Sequence, residues 1–382
     1  MTKLSTLLTT VAFFLAPLAA RAVDVDLNGF FTVGYARSNT STIYLQTIDN
    51  SGDFARLSNG GLQASASISD RAMVKVQTVA TGFPDKSFHL DLDLAQARYL
   101  VSSNHAVLLG RLRLPLYLVS DYRMVGALYP WTVPPSEVYD VLPLESVGSN
   151  QTFNGGNWVS QWELPAGWAA ETELFGGGSS RSLDPPSQHI EAKVKRLFGA
   201  EASATRGRLE LRASYLNSLD SSTTTTLGGG AVPSSSDTSL GVLNLATAGV
   251  RWEPKSWLLQ GEFARIFSDN PRFRAVQSHY ETLGYRWFSR KLLTQLTFSQ
   301  LLDSSKSSSS LGQKSYLFGL AYSLDTNFVV KAEVQRVVPT PPPTAPAPPP
   351  GAPPRPPQAT GLFSSQPSNG FTVYYLSINA AF

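Results

Sequence analysis

The sequence predicts an all-β chain that closes into one antiparallel transmembrane β-barrel of about sixteen strands. Three observations predict it. Short two-faced segments with a side-chain period of two run from Val23 to the end of the chain. Their connections alternate between short and long, which is the signature of a barrel with tight turns at one rim and long loops at the other. The apolar face recurs from segment to segment, and no amphipathic helix is left over to cover it. A soluble antiparallel sheet also alternates, but in lipid only a closed barrel satisfies every backbone group of a sheet.

The elements follow in order. Residues 1–22 form a secretory signal that is cleaved off: Lys3 supplies the positive start, an apolar stretch follows, and Ala20-Arg21-Ala22 is a small-x-small cleavage site. Residues 23–382 are then one barrel. A tight turn stands at Asp70-Arg71 and a loop follows Thr81. In the segment from His89, Leu90, Leu92 and Leu94 oppose Asp91 and Asp93. After the Ser103-Asn104 turn comes a segment read over 106–120, where Leu112 and Leu114 oppose Arg111 and Arg113. A long connection over 121–153 precedes the 165–167 turn. Beyond the long connection 176–188, Ile190, Ala192 and Val194 oppose Glu191, Lys193 and Lys195. A medium connection is read at 199–206, and then Leu209, Leu211 and Ala213 oppose Arg208, Glu210 and Arg212. The rest alternates long and short: 218–237, 253–256, 269–278, 289–291, 303–314 and 325–327. Val330, Ala332 and Val334 then oppose Lys331, Glu333 and Gln335.

In each case the apolar face is expected to meet lipid and the charged face to line the lumen. The pore-lining candidates are therefore Arg111, Arg113, Asp91, Asp93, Lys193, Lys195, Arg208, Arg212, Lys331 and Glu333. The connection 339–369 is rich in proline, which cannot donate to a strand ladder, so it is a loop. The residues from Gly370 to Phe382 suit one closing strand. Tryptophans 162, 168, 252, 257 and 287 flank short turns, where an aromatic girdle would sit.

Composition narrows the function. Hydrophobic residues make up 42% of the chain and charged residues 15%, with a mean hydropathy of −0.08. Alternation hides a membrane barrel behind such a near-neutral average. The formal charge is +3, and without Lys3 and Arg21 it is +1, which is no nucleic-acid footprint. The chain has no cysteine, so disulfides and thiolate metal sites are excluded. No nucleotide-binding or metal-binding motif is present, and no cofactor is expected. The four histidines fall in no catalytic signature, so no catalytic residue is assigned and no enzyme is expected.

The last strand places Tyr374, Leu376, Ile378, Ala380 and the terminal Phe382 on one face. The first carries Asn28-Gly29-Phe30-Phe31. Between them lie Gly110-Arg-Leu-Arg-Leu-Pro-Leu-Tyr-Leu-Val-Ser-Asp-Tyr122, Tyr129-Pro-Trp131 and Pro134-Pro-Ser-Glu-Val-Tyr139. With these features the chain resembles Gram-negative outer-membrane porins. The resemblance implies an integral outer-membrane protein with short periplasmic turns and long external loops. It implies a passive channel for small hydrophilic solutes or ions, surrounded by outer-membrane lipid. It also implies Phe382 as part of the signal read by the barrel-assembly machinery, and it favours a homotrimer. The third external loop of such porins folds into the lumen. Here that position belongs to 121–153, whose Asp121, Trp131, Glu137 and Asp140 are the constriction candidates, with Glu145 a further acid. An adhesin or receptor barrel working through its external loops is the alternative.

Overall fold

The computed structural model describes residues 24–82, 88–140, 151–183, 188–227, 234–269, 275–303, 312–340, 362–363 and 369–382. The signal region, Pro143, Glu145 and nearly all of the proline-rich run lie outside the described residues. Sixteen strands are present among the described residues. They are β1 (Val25–Ser38), β2 (Asn59–Ser69), β3 (Ala72–Thr81), β4 (His89–Leu100), β5 (His105–Arg113), β6 (Thr152–Leu164), β7 (Trp168–Leu183) and β8 (Gln188–Arg206). They continue as β9 (Leu209–Leu227), β10 (Ser234–Trp252), β11 (Trp257–Ser268), β12 (Val276–Trp287), β13 (Leu292–Asp303), β14 (Gln313–Ser323), β15 (Phe328–Pro339) and β16 (Phe371–Ala381). Each pairs antiparallel with its sequence neighbours, and β1 closes on β16. No helix among the described residues is long and apolar enough to cross a membrane; the chain crosses with strands.

The two faces of the wall are plain on β11. Trp257, Leu259, Phe263 and Phe267 are exposed on the outside, whereas Leu258, Gln260, Glu262, Ala264 and Ile266 are buried. The same alternation on β15 buries Lys331, Glu333 and Gln335 and exposes Val334. On β16, Tyr374, Leu376 and Ile378 form an exposed apolar stripe, and Phe382 continues it beyond the strand end. A closed sheet exposing a continuous apolar outer surface is built for a hydrocarbon solvent.

The closing seam depends on the chain end. The Phe382 N–H donates to the Gly29 carbonyl at 2.8 Å, and the Gly29 N–H donates to Phe382 at 2.6 Å. The Phe382 ring also lies over Gly29, where a Cβ would stand 2.6 Å from its edge. Deleting Phe382 is expected to lower the yield of barrel inserted into lipid vesicles, measured by the heat-modifiable band in SDS. An unchanged yield would show that the seam closes without it.

Several boundaries differ from the sequence reading. The long connection 39–58 after β1 was not singled out, because its mixed composition carries no low-complexity signal. Residues 199–206 form the end of β8 and not a connection; the turn is at Gly207-Arg208. Strands β7 to β10 are longer than expected, since the Ser/Thr run at 221–227 pairs as strand. Strand β5 stops at Arg113, just ahead of Pro115, so the third long connection begins near Leu114. On β4 a bulge at Asp93 shifts the register between Gln77 and Thr78 of β3. It returns Leu94 to a buried position while Leu90 and Leu92 remain exposed.

Candidate functional site

The connection between β5 and β6 folds into the barrel. Its described part, 114–140, holds two 3-10 turns, Ser120–Tyr122 and Gly126–Leu128, and a one-turn helix, α1 (Ser136–Tyr139). Prolines 115, 130, 134 and 135 restrict the path of this segment. Such a loop brings many backbone groups into an enclosed space, and each needs a partner. The inner side chains of β9 to β15 supply them.

The stem is held first. Arg212 on β9 donates to the Tyr117 carbonyl at 2.7 Å, to Glu201 of β8 at 2.8 Å and to Asp121 of the loop at 3.1 Å. Ser214 and Thr247 both donate to the Leu116 carbonyl, at 2.9 and 2.5 Å. Glu262 on β11 accepts from the Leu118 N–H at 2.9 Å and from the Tyr139 hydroxyl at 2.5 Å. Tyr280 on β12 donates to the same carboxylate at 3.3 Å.

The far side is held by β13 to β15. Lys331 is fully buried, and its ammonium donates to the carbonyls of Gly126, Tyr129 and Trp131 while lying over the Tyr129 ring. Glu333 accepts from the Thr132 N–H at 2.8 Å. The Trp131 indole N–H donates to Thr297 at 2.9 Å. Glu137 of α1 is wholly buried and accepts from Ser299 at 2.9 Å, Gln313 at 2.7 Å and Ser315. Gly126 approaches the wall so closely that a Cβ there would stand 2.6 Å from Thr32 Oγ1. The loop thus reaches from its stem on β5 across to β1, β15 and β16.

Its apolar side chains build a core inside the barrel. Leu112, Leu114, Leu116, Leu118, Tyr117, Trp131, Val138 and Tyr139 pack with Phe153, Phe175, Val194, Leu197, Leu216, Leu245, Ile266 and Tyr280. This overturns the facing expected for β5. Leu112 is 2% exposed and belongs to that internal core instead of facing lipid. Arg111 and Arg113 alternate with it and turn to the bulge on β4. Arg111 Nε donates to the Asp93 carbonyl at 3.1 Å, and Arg113 pairs with the Asp93 carboxylate. Lys193 and Lys195 likewise flank Val194, which faces the core, and both lysines are exposed. The physical reason is common to both cases. Where the loop docks, the inner face must also be apolar, so hydrophobicity no longer marks the lipid side.

The other candidates divide by place. Arg212, Lys331, Glu333, Trp131 and Glu137 meet at the loop–wall contact, as described above. Asp121 binds Arg212, and Asp140 pairs with Arg123 at 2.7 Å and with Arg56 of the first long connection at 3.8 Å. Asp91 is exposed. Arg208 lies in the β8–β9 turn, exposed, and donates to the Lys255 carbonyl. Sequence reasoning missed Glu262, Tyr280 and the first connection. That connection brings Tyr44, Leu45 and Ile48 into a second buried cluster with Phe363, Phe371, Val373 and Tyr375. Alternation could have found Glu262, which shares the inner parity of Leu258 and Gln260.

Burial holds the loop phenols Tyr44, Tyr129 and Tyr139 well above the usual tyrosine range, and the Glu262 carboxylate raises Tyr139 further. These hydroxyls stay protonated in the folded protein. Groups with raised folded values contribute stability fully below the unfolded value of about 10 and lose it as pH rises beyond. Loop docking is therefore expected to be constant through neutral pH and to fail above about pH 10. A tyrosinate absorbance titration of the folded protein should show these phenols ionising only with unfolding; early ionisation at pH 10 would contradict it.

No protein-family model and no curated protein matches the chain. Solved structures do match in fold. The Salmonella typhi OmpF complex with daunomycin superposes with a TM-score of 0.56 at 12% identity, covering 94% of this chain and 97% of that one. The chain has the porin fold. An anion-selective porin from Comamonas acidovorans gives a TM-score of 0.52 at 12% identity over 94% of this chain and all of that one. The trimer form of OmpT, an outer membrane protein of Vibrio cholerae, gives 0.53 at 10% identity, over 95% and 100% of the two chains.

Proposed function

We propose that the protein is a porin of the outer membrane, a passive diffusion channel for small hydrophilic solutes or ions. The observation that carries this reading is the inward loop. A receptor or adhesin working through external loops gains nothing from fixing 114–140 to the inner wall with Arg212, Glu262, Lys331 and Glu333. A channel gains a size limit. Constriction is a matter of narrowing a water-filled passage and setting its charge, and the loop–wall contacts fix the loop's position. Asp121 and Asp140 form the charged edge of the loop towards the passage, whereas Trp131 and Glu137, buried against the wall, fix the loop. Arg212, Lys331 and Glu333 set that edge in place more than they meet solutes.

The porin fold and the exposed apolar outer face support residence in outer-membrane lipid. The apolar last strand ending in Phe382 supports handling by the barrel-assembly machinery, and the trimer recorded for a protein of the same fold supports a homotrimer. The test is purified protein in a planar lipid bilayer. Stepwise, ohmic conductance increments are expected. Inserted, heat-modifiable protein that gives no current would exclude the channel.

A further inference from the structure

The wall next to the loop stem carries a different chemistry. Strand alternation puts Gln161 and Glu163 of β6, Glu171 and Glu173 of β7, and Glu201 and Ser203 of β8 on the inner face. Their neighbours Trp158, Trp162 and Leu174 are exposed on the outer face. Glu173 stands directly opposite Glu201 in the ladder, a like-charge pairing that costs stability. Loop Asp121 and Glu171 are their charged neighbours. Arg212 is the counter-charge, and it is bound to both Asp121 and Glu201.

A second observation points to what this strip receives. Asn157 gives its amide N–H to Glu173, yet its own Oδ1 is buried without a hydrogen-bond partner among the described residues. Glu201 is 2% exposed; its Oε1 meets Arg212, and its buried Oε2 has only the Ser203 hydroxyl of the same strand as a neighbouring donor. Both atoms are acceptors beside the acidic ladder pair, and acceptors are satisfied only by donors or cations. The strip opens at the short-turn rim into a cavity of about 830 Å³ lined by Asn104, Gln161, Glu163, Glu171, Ser203 and Thr205. The carboxylates are strung along three strands and do not converge as metal ligands would. That suits a passing cation. Lys75 and Arg98, on the inner parity of β3 and β4, and Arg251 and Arg286, on that of β10 and β12 and sharing Glu253, are among the positive charges it must outweigh.

We infer that the β6–β8 strip makes the channel cation-preferring and offers small organic amines a transient site. The inference rests on the channel reading above. The test is reversal potential in a KCl gradient across a bilayer, with the Glu171→Gln/Glu173→Gln double variant and Glu191→Gln, a half-exposed carboxylate higher on β8 paired with Lys193, as control. The wild type should prefer K⁺. The double variant should lose at least about half of that preference, most clearly at low salt, while Glu191→Gln keeps it. Spermine added on the short-turn side should reduce the wild-type current, a readout that needs no variant to fold. A wild type that conducts but prefers Cl⁻, or ignores spermine, overturns the inference and leaves the channel standing. Absence of any current removes both.

Discussion

Lys331→Met is expected to free the inward loop and raise single-channel conductance. The ammonium satisfies three loop carbonyls at once and sits beside Glu333, which itself holds the Thr132 N–H. Methionine keeps the volume and removes every donor. Each buried carbonyl left without its donor costs about 1–3 kcal/mol. That cost falls on the docked loop and not on the sixteen-strand ladder, so the barrel should still form and still migrate heat-modifiably. Larger uncharged solutes should then pass in liposome-swelling assays. Wild-type conductance together with an unchanged size limit would show that the loop does not depend on Lys331.

Leu112→Arg should be the most damaging single change on β5. It forces a charge into the core formed by Leu114, Phe153 and Phe175, with a destabilisation of about 3–5 kcal/mol. Arg111→Leu should cost nearer 1 kcal/mol, the worth of its hydrogen bond to the Asp93 carbonyl. Leu112→Ala separates an internal from a lipid-facing position. Inside, the cavity should cost about 2–5 kcal/mol. Facing lipid, the same change would leave no cavity. Urea titration of the protein folded in detergent measures all three, and a near-neutral Leu112→Ala would return Leu112 to the outer face.

The wall was legible because its code is local. A period of two, tight turns such as Asp70-Arg71 and the closing stripe ending at Phe382 are each written in a few adjacent residues. The facing of β9 and β15 followed directly: Leu211 and Val334 lie outside, Arg212, Lys331 and Glu333 inside. The facing of β5 and β8 did not. Leu112 and Val194 are apolar because a loop packs on them, and that partner is remote in sequence. The bulge at Asp93 was hidden for another reason: one inserted residue reverses parity without changing composition. The loop's place inside the barrel could be suspected from its prolines and aromatics. Its anchors could not, since Glu137 meets Ser299, Gln313 and Ser315 only once nine further strands, β6 to β14, have been laid down. Glu262 was overlooked because it is an isolated acid on an otherwise ordinary strand.

The most direct test of the inward-loop channel uses the absence of native cysteine. Thr132 of the loop and Ser377 of β16 place their hydroxyls 3.3 Å apart. In the Thr132→Cys/Ser377→Cys variant, conductance is recorded in a bilayer before and after oxidation, with cross-linking followed by mass spectrometry. The loop as described should cross-link in the inserted barrel, and the cross-linked channel should conduct at the wild-type level. An inserted barrel whose pair stays reduced, or whose current disappears once the loop is locked against β16, would contradict a channel that conducts with the loop docked.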